Sequence, residues 1–143
     1  MNLRGSKRKS EHLAVQFDSP LPEFCMRIRQ IFELPEFTFD AENETEWGSV
    51  TRGGVEYNVS KPYREGTLQE WDSTVPDGCN IGIALILDGG YQNADPKWAL
   101  NELVIPTAQS IADNLRTEVY YHRTWLGVGN NAERKLAFEP KNA

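Results

Sequence analysis

The first part of the chain alternates like a strand and then repeats like a helix. From His12 to Phe17 every second residue is apolar, which predicts a half-buried strand. Ser19 and Pro20 follow as a predicted N-cap and first helical residue. Pro35 predicts the end of this helix. Between them, apolar residues at three- and four-residue spacings form one stripe: Leu21, Phe24, Cys25, Ile28, Ile31 and Phe32.

A tight hairpin is predicted in the middle of the chain. The segments on either side of Gly53-Gly54 alternate, and the two glycines supply the positive φ that a two-residue turn requires. The turn also fixes the register, with Val50 opposite Tyr57. Val59 then shares a face with both residues, and we expect this apolar face to be covered by the helices.

The second half of the chain predicts a central strand, a helix and a last strand. Large and small apolar residues alternate from Asn80 to Asp88, as expected for a strand with a helix-covered face. A helical stripe follows the cap signal Asp95-Pro96 and reaches about Arg116. Pro106 is expected to kink or divide it, because proline lacks the backbone donor. Glu118 to Trp125 is rich in β-branched and aromatic residues and predicts the last strand.

These elements predict the α+β class in β-α-β-β-β-α-β order. Both helical stripes need an apolar surface to bury. We therefore expect a single antiparallel or mixed sheet of about five strands, with two helices packed on one face, in the manner of a ferredoxin-like variant. Residues 1–10 are expected to be a disordered basic tail, because they contain little apolar surface. Residues 11–143 are expected to form one domain.

Charge is unevenly distributed along the chain. Four of the 15 Lys and Arg residues lie within the first ten positions, so from Glu11 onward 11 basic residues face 21 acidic ones. An acidic body repels phosphate, and we expect no nucleic-acid binding through it. The sequence has neither a signal-peptide pattern nor an apolar run of membrane length. We therefore expect a cytoplasmic protein without membrane attachment, and its oligomeric state stays open.

Residue types that often carry chemistry show no catalytic or metal-binding pattern here. His12 and His122 lie on predicted strands without metal-ligand spacing, although an acid–base pair across a sheet stays open. Cys25 and Cys79 are too few for a disulfide framework; Cys25 lies in the apolar stripe of the first helix and is expected to be a core residue, and Cys79 has no basic neighbours that favour a thiolate. We expect no catalytic residue, no bound metal and no cofactor.

An acidic segment and an aromatic loop supply the candidate binding residues. Acidic residues recur at every second position from 40 to 46, which in an extended chain would place four carboxylates on one side. The long connection after the hairpin contains residue types that dominate binding energy. Both segments lie at the open end of the hairpin, so we expect one surface to present both to a basic protein partner. The candidate residues are Asp40, Glu42, Glu44 and Glu46 in the acidic segment and Tyr63, Arg64 and Trp71 in the aromatic loop.

In size and charge the chain resembles small acidic bacterial proteins that bind another protein, including immunity proteins and inhibitors. The resemblance implies a non-catalytic protein-binding module. Two alternatives stay open. One is a small-ligand pocket between the sheet and the helices, and the other is a small hydrolase that uses carboxylates or a histidine. The expected lining of the pocket is aromatic, drawn from Tyr57, Trp98, Tyr121 or Trp125.

Overall fold

The computed structural model describes residues 9–42, 45–62, 79–87, 99–122 and 136–141. Within these ranges the chain forms seven strands and two α-helices. They are β1 (Lys9–Val15), α1 (Leu21–Phe32), β2 (Thr38–Glu42), β3 (Thr45–Arg52), β4 (Val55–Pro62), β5 (Ile81–Leu87), α2 (Ile105–Leu115), β6 (Val119–His122) and β7 (Leu136–Phe138).

All the described strands belong to one antiparallel sheet in the order β2-β3-β4-β5-β1-β6-β7. The α+β class with a single sheet is confirmed, and β5, the most apolar strand, lies at its centre. The predicted five strands and ferredoxin-like order are not confirmed. The two uncounted strands, β2 and β7, are the sheet edges. β2 is partly acidic and β7 has only three residues, so neither carries the apolar pattern by which buried strands are recognised.

The β3–β4 hairpin has the register that its turn predicts. Val50 is paired with Tyr57, and Gly53 and Gly54 both have positive φ.

The first strand begins within the predicted basic tail. β1 starts at Lys9, which is paired with Leu87 of the central strand β5. The last two residues of the predicted basic tail therefore belong to the sheet, and residues 1–8 lie outside the described ranges.

The N-terminus of α1 lies one residue later than its cap signal predicts, and the second cap signal, Asp95-Pro96, lies outside the described residues. The N-cap of α1 is Pro20 rather than Ser19, whose hydroxyl donates to the Pro20 carbonyl instead of capping a helical amide. In the second helical stretch a π-helical segment, Ala99–Val104, leads directly into α2. Pro106, which cannot donate a backbone hydrogen bond, lies in the first turn of α2, where the helix changes from π to α; the helical stretch itself is continuous from Ala99 to Leu115, so the predicted division is not seen.

Both helices cover the same face of the sheet, and the core lies between the two layers. Val50 and Val59 are buried on this face, and Tyr57 is half-buried with its ring stacked on Phe32. The predicted helix-covered face is therefore confirmed. Core residues that expose at most 1% of their surface come from every layer: Leu13, Val15, Phe24, Ile28, Val59, Ile81, Ile83, Leu85, Ala108 and Ile111.

A carboxylate lies within this core. Glu11, on the central part of the sheet, exposes only 1% of its surface and accepts a 2.7 Å hydrogen bond from the Tyr121 hydroxyl. Burying a carboxylate is costly unless hydrogen bonds replace those it made to water. The Tyr121 hydroxyl supplies such a bond from β6, the strand next to β1.

Candidate functional site

The acidic segment does not form one row of carboxylates. The chain reverses after Glu42, and β2 pairs with β3, placing Asp40 beside Trp47 and Glu46 beside Ala41. Paired residues of antiparallel strands share a face, so Asp40 and Glu46 lie on opposite faces of the sheet. The prediction assumed one extended segment, which is wrong because β2 ends at Glu42 and the chain returns antiparallel to it as β3 from Thr45. Glu44 itself lies outside the described residues.

The aromatic loop begins beside the acidic hairpin connection. Pro62, the last residue of β4, is paired with Thr45, the first residue of β3. The residues expected to bind within that loop, Tyr63, Arg64 and Trp71, lie outside the described ranges. The predicted shared surface therefore stays a prediction for these three residues.

The two histidines occupy paired positions on neighbouring strands, since His12 in β1 is opposite His122 in β6. The expectation that they could meet across the sheet is met at the level of the backbone register. Within the described part of the chain, no three His, Cys, Asp or Glu side chains are grouped so that they could hold a metal ion.

Both cysteines are buried free thiols. Burial, and secondly the charge of Glu46, raises the pKa of the Cys25 thiol to about 12. Burial alone raises the pKa of the Cys79 thiol to about 11. The thiolate is the nucleophilic form, so a raised pKa makes both residues poor nucleophiles near neutral pH.

We therefore expect both native thiols to react slowly with Ellman's reagent at about pH 8, because only a small thiolate fraction exists below a raised pKa. After unfolding in guanidinium chloride, Cys25 and Cys79 should both react rapidly. The measurement is the thionitrobenzoate absorbance with and without denaturant. Rapid reaction of either thiol in the native protein would contradict the burial of that thiol.

An apolar groove of roughly 330 Å³ lies on the surface between α1 and β2. We call it the α1–β2 groove. It is lined by Pro22, Cys25, Met26, Arg29, Glu36, Phe37 and Phe39. Met26 and Phe39 are 48% and 46% exposed, and they are the large hydrophobic side chains that the described part of the chain exposes to this degree. Exposed apolar side chains that line one concave surface are typical of a binding site rather than of scattered surface residues.

Gly48 makes room for the Phe39 ring at the groove. Gly48 and Phe39 are paired across β2 and β3. A methyl group on Gly48 would lie 2.8 Å from Phe39 Cε1 and 3.3 Å from Cys25 Sγ. The ring therefore lies over the glycine, and it also stacks with Phe37 at a centroid distance of 6.3 Å. Only a residue without a side chain allows this position of the ring.

Two arginines hold the connection between α1 and β2. Arg52 of β3 donates hydrogen bonds to the carbonyls of Phe32 and Glu33, which are the unpaired acceptors at the end of α1. Arg29 Nε donates to the Leu34 carbonyl at 3.1 Å. These hydrogen bonds hold the chain in place just before Phe37 and Phe39. One wall of the groove is therefore formed before any ligand binds.

Carboxylates outnumber basic groups around the groove. Glu36 is part of the lining, and Glu46 is close enough to the lining residue Cys25 to raise the pKa of its thiol. Arg29 is the basic side chain of the lining, and its Nε is already bonded. The apolar floor is therefore bordered by negative charge, which favours a basic ligand surface.

Of the two exposed apolar residues of the groove, the sequence pattern accounts for the exposure of one only. Met26 is apolar but lies off the buried stripe of α1, so its exposure follows from the helical period. Phe39 could not be assigned in this way. The position of Phe39 depends on pairing with Gly48 across the β2–β3 hairpin, which no glycine pair marks in the sequence.

The alternative pocket between the sheet and the helices finds no support from the residues described. Tyr57 and Tyr121 pack into or against the core, and the Tyr121 hydroxyl is bonded to Glu11. The other expected lining residues, Trp98 and Trp125, lie outside the described ranges.

Comparisons with protein-family models, with curated proteins and with solved structures gave no match in any of the three. None of the described helices is long and apolar enough to cross a membrane.

Proposed function

We propose that this protein is a non-catalytic protein-binding module that binds a basic partner at the α1–β2 groove. The observation that carries the proposal is the exposure of Met26 and Phe39 in one groove with acidic borders. An inhibitor or immunity protein, which neutralises a partner by binding it, is the form of this function that the acidic composition favours.

The groove has the parts expected of a binding site. Phe39 is an aromatic anchor held in place by Gly48, and Met26 is a flexible apolar side chain that adapts to different partners. Glu36 and Glu46 supply long-range attraction for a basic surface and increase the association rate. Arg29 and Arg52 hydrogen-bond to the connection between α1 and β2, so less conformational entropy of this segment is lost on binding.

The first test is to find where the partner contacts the protein. The photoreactive substitutions Met26→p-benzoylphenylalanine and Phe39→p-benzoylphenylalanine should each give one defined adduct in cells. The same substitution at Thr51, an exposed residue of β3, is the matched control and should not give that adduct. Identical adducts at all three positions, or none from Met26 and Phe39, would contradict the proposed site.

The second part of this test measures affinity for the purified, cross-linked partner. Phe39→Ala and Met26→Ala should each weaken binding by about tenfold or more, since anchors in an interface commonly contribute at least that much. Gly48→Ala should also weaken it, because the added methyl group displaces the Phe39 ring without removing it. Thr51→Ala should leave the dissociation constant unchanged. Equal affinities for all variants would refute the proposal.

A further inference from the structure

A hydrogen bond of β2 shows which of its backbone groups point away from the sheet. The Ala41 N–H donates to Asp40 Oδ1 at 2.7 Å. This amide therefore does not bond to β3, so Ala41 and Glu46 form a non-hydrogen-bonded pair. Such pairs alternate with hydrogen-bonded pairs along an antiparallel ladder, so Phe39 and Gly48 form a pair of the same kind. The N–H and C=O groups of Phe39 and Ala41 thus point away from β3.

β2 is an edge strand in the described part of the sheet, so these outward groups form a template for another strand. Phe39 lies on the helix-covered side, next to the α1–β2 groove, and Ala41 shares that side. Asp40 lies on the opposite side, with Trp47. A strand added here would therefore alternate between the groove and the Asp40 carboxylate.

Asp40 determines which strand the edge accepts. Its carboxylate accepts the hydrogen bond of the Ala41 N–H, and an added strand would need this N–H as a donor to its own backbone carbonyl. A basic side chain opposite Asp40 gives the carboxylate a charged partner and releases that amide. A second copy of β2, added about a two-fold axis at Asp40, would instead place two carboxylates opposite each other, which is destabilising. The charge therefore favours a basic strand over self-association.

We propose that the partner adds an antiparallel strand to β2 with the three-residue pattern apolar, basic, apolar. The basic residue lies opposite Asp40, and the two apolar residues lie opposite Phe39 and Ala41, on the side of the groove. This inference rests on the proposed function, because it states how a partner occupies the α1–β2 groove. Main-chain hydrogen bonds supply affinity in this mode of recognition, and the alternating side chains supply specificity.

A fluorescent peptide with the core Ile-Lys-Val between Thr and Gly residues is the probe. In the added strand, the N–H groups of Ile and Val bond to β2, whereas that of Lys points away. N-methylation at Ile or Val should therefore weaken binding by about tenfold or more, and N-methylation at Lys is the matched control that should not. The measurement is fluorescence anisotropy against the full-length protein.

A charge exchange tests the role of Asp40. Asp40→Lys should lose the Ile-Lys-Val peptide and gain a peptide with the core Ile-Glu-Val, because opposite charges again face each other. Since Asp40 is exposed, the variant should retain the wild-type thermal unfolding, which is measured alongside.

Two results would overturn strand addition. One is an equal loss from N-methylation at Lys and at Ile or Val, and the other is no binding of the Ile-Lys-Val peptide at all. Neither result would contradict the proposed function, because the cross-links at Met26 and Phe39 test that function separately. If those cross-links form while the peptide pattern fails, the groove binds a partner in a different conformation.

Discussion

Phe24→Ala is expected to lower the free energy of unfolding by about 3–5 kcal/mol, the usual cost of removing a buried aromatic ring. Phe24 is fully buried in α1 and packs edge-on against Phe17, with ring centroids 5.5 Å apart. The alanine would leave a cavity between α1 and the sheet that the closely packed neighbours cannot fill. Equilibrium unfolding in urea measures the change.

Met26→Ala is the matched control on the same helix. Met26 is 48% exposed, so its truncation should change stability by no more than about 0.5 kcal/mol. The same substitution should weaken partner binding, so the two residues separate stability from function. Comparable losses of stability in both variants would contradict the orientation of α1.

Tyr121→Phe is expected to destabilise the protein by about 1–3 kcal/mol, because it leaves the buried Glu11 carboxylate without one of its donors. Because the substitution keeps the aromatic ring, no large cavity forms. The loss of unfolding free energy therefore measures the contribution of the Tyr121 hydroxyl. A double-mutant cycle with Glu11→Gln isolates the coupling of this pair from the other contacts of either residue.

Tyr120→Phe provides a control one residue earlier on the same strand. The Tyr120 hydroxyl also donates to a glutamate, Glu118, but this bond is exposed. The bond to the Glu118 carboxylate is the main cause that raises the pKa of Tyr120 to about 12. Water replaces an exposed hydrogen bond at little cost, so the loss should stay within about 0.5 kcal/mol. Equal losses for Tyr120→Phe and Tyr121→Phe would show that the burial of Glu11 has no energetic consequence.

Local patterns predicted the elements whose information lies within a few residues. The β3–β4 register followed from Gly53-Gly54, because a two-residue turn admits one pairing and alternation confirms it. The buried side of α1 followed from its helical period, since Leu21, Phe24, Cys25 and Ile28 of the predicted stripe are buried. Pro106 marks the position at which the second helical stretch changes from π to α, because it lacks the backbone donor, although the stretch is not divided there.

The candidate site could be predicted only in part. Asp40 and Glu46 were recognised as acidic surface residues, but the chain reversal after Glu42 places them on opposite faces. The groove was not predicted, because its two exposed anchors, Met26 and Phe39, come from different elements. Their meeting depends on how α1 packs beside β2, which no local pattern encodes.

By itself, the sequence determined the α+β class, the central position of β5, the hairpin register and the acidic character of the body. These depend on local turn geometry, on the period of apolar residues and on composition. The tertiary structure alone decided the sheet order, the edge strands β2 and β7, the burial of Glu11 and the groove at Phe39. Each of these depends on contacts between residues far apart in the chain, as when Tyr121 reaches Glu11, and such contacts form only once the sheet and helices have packed.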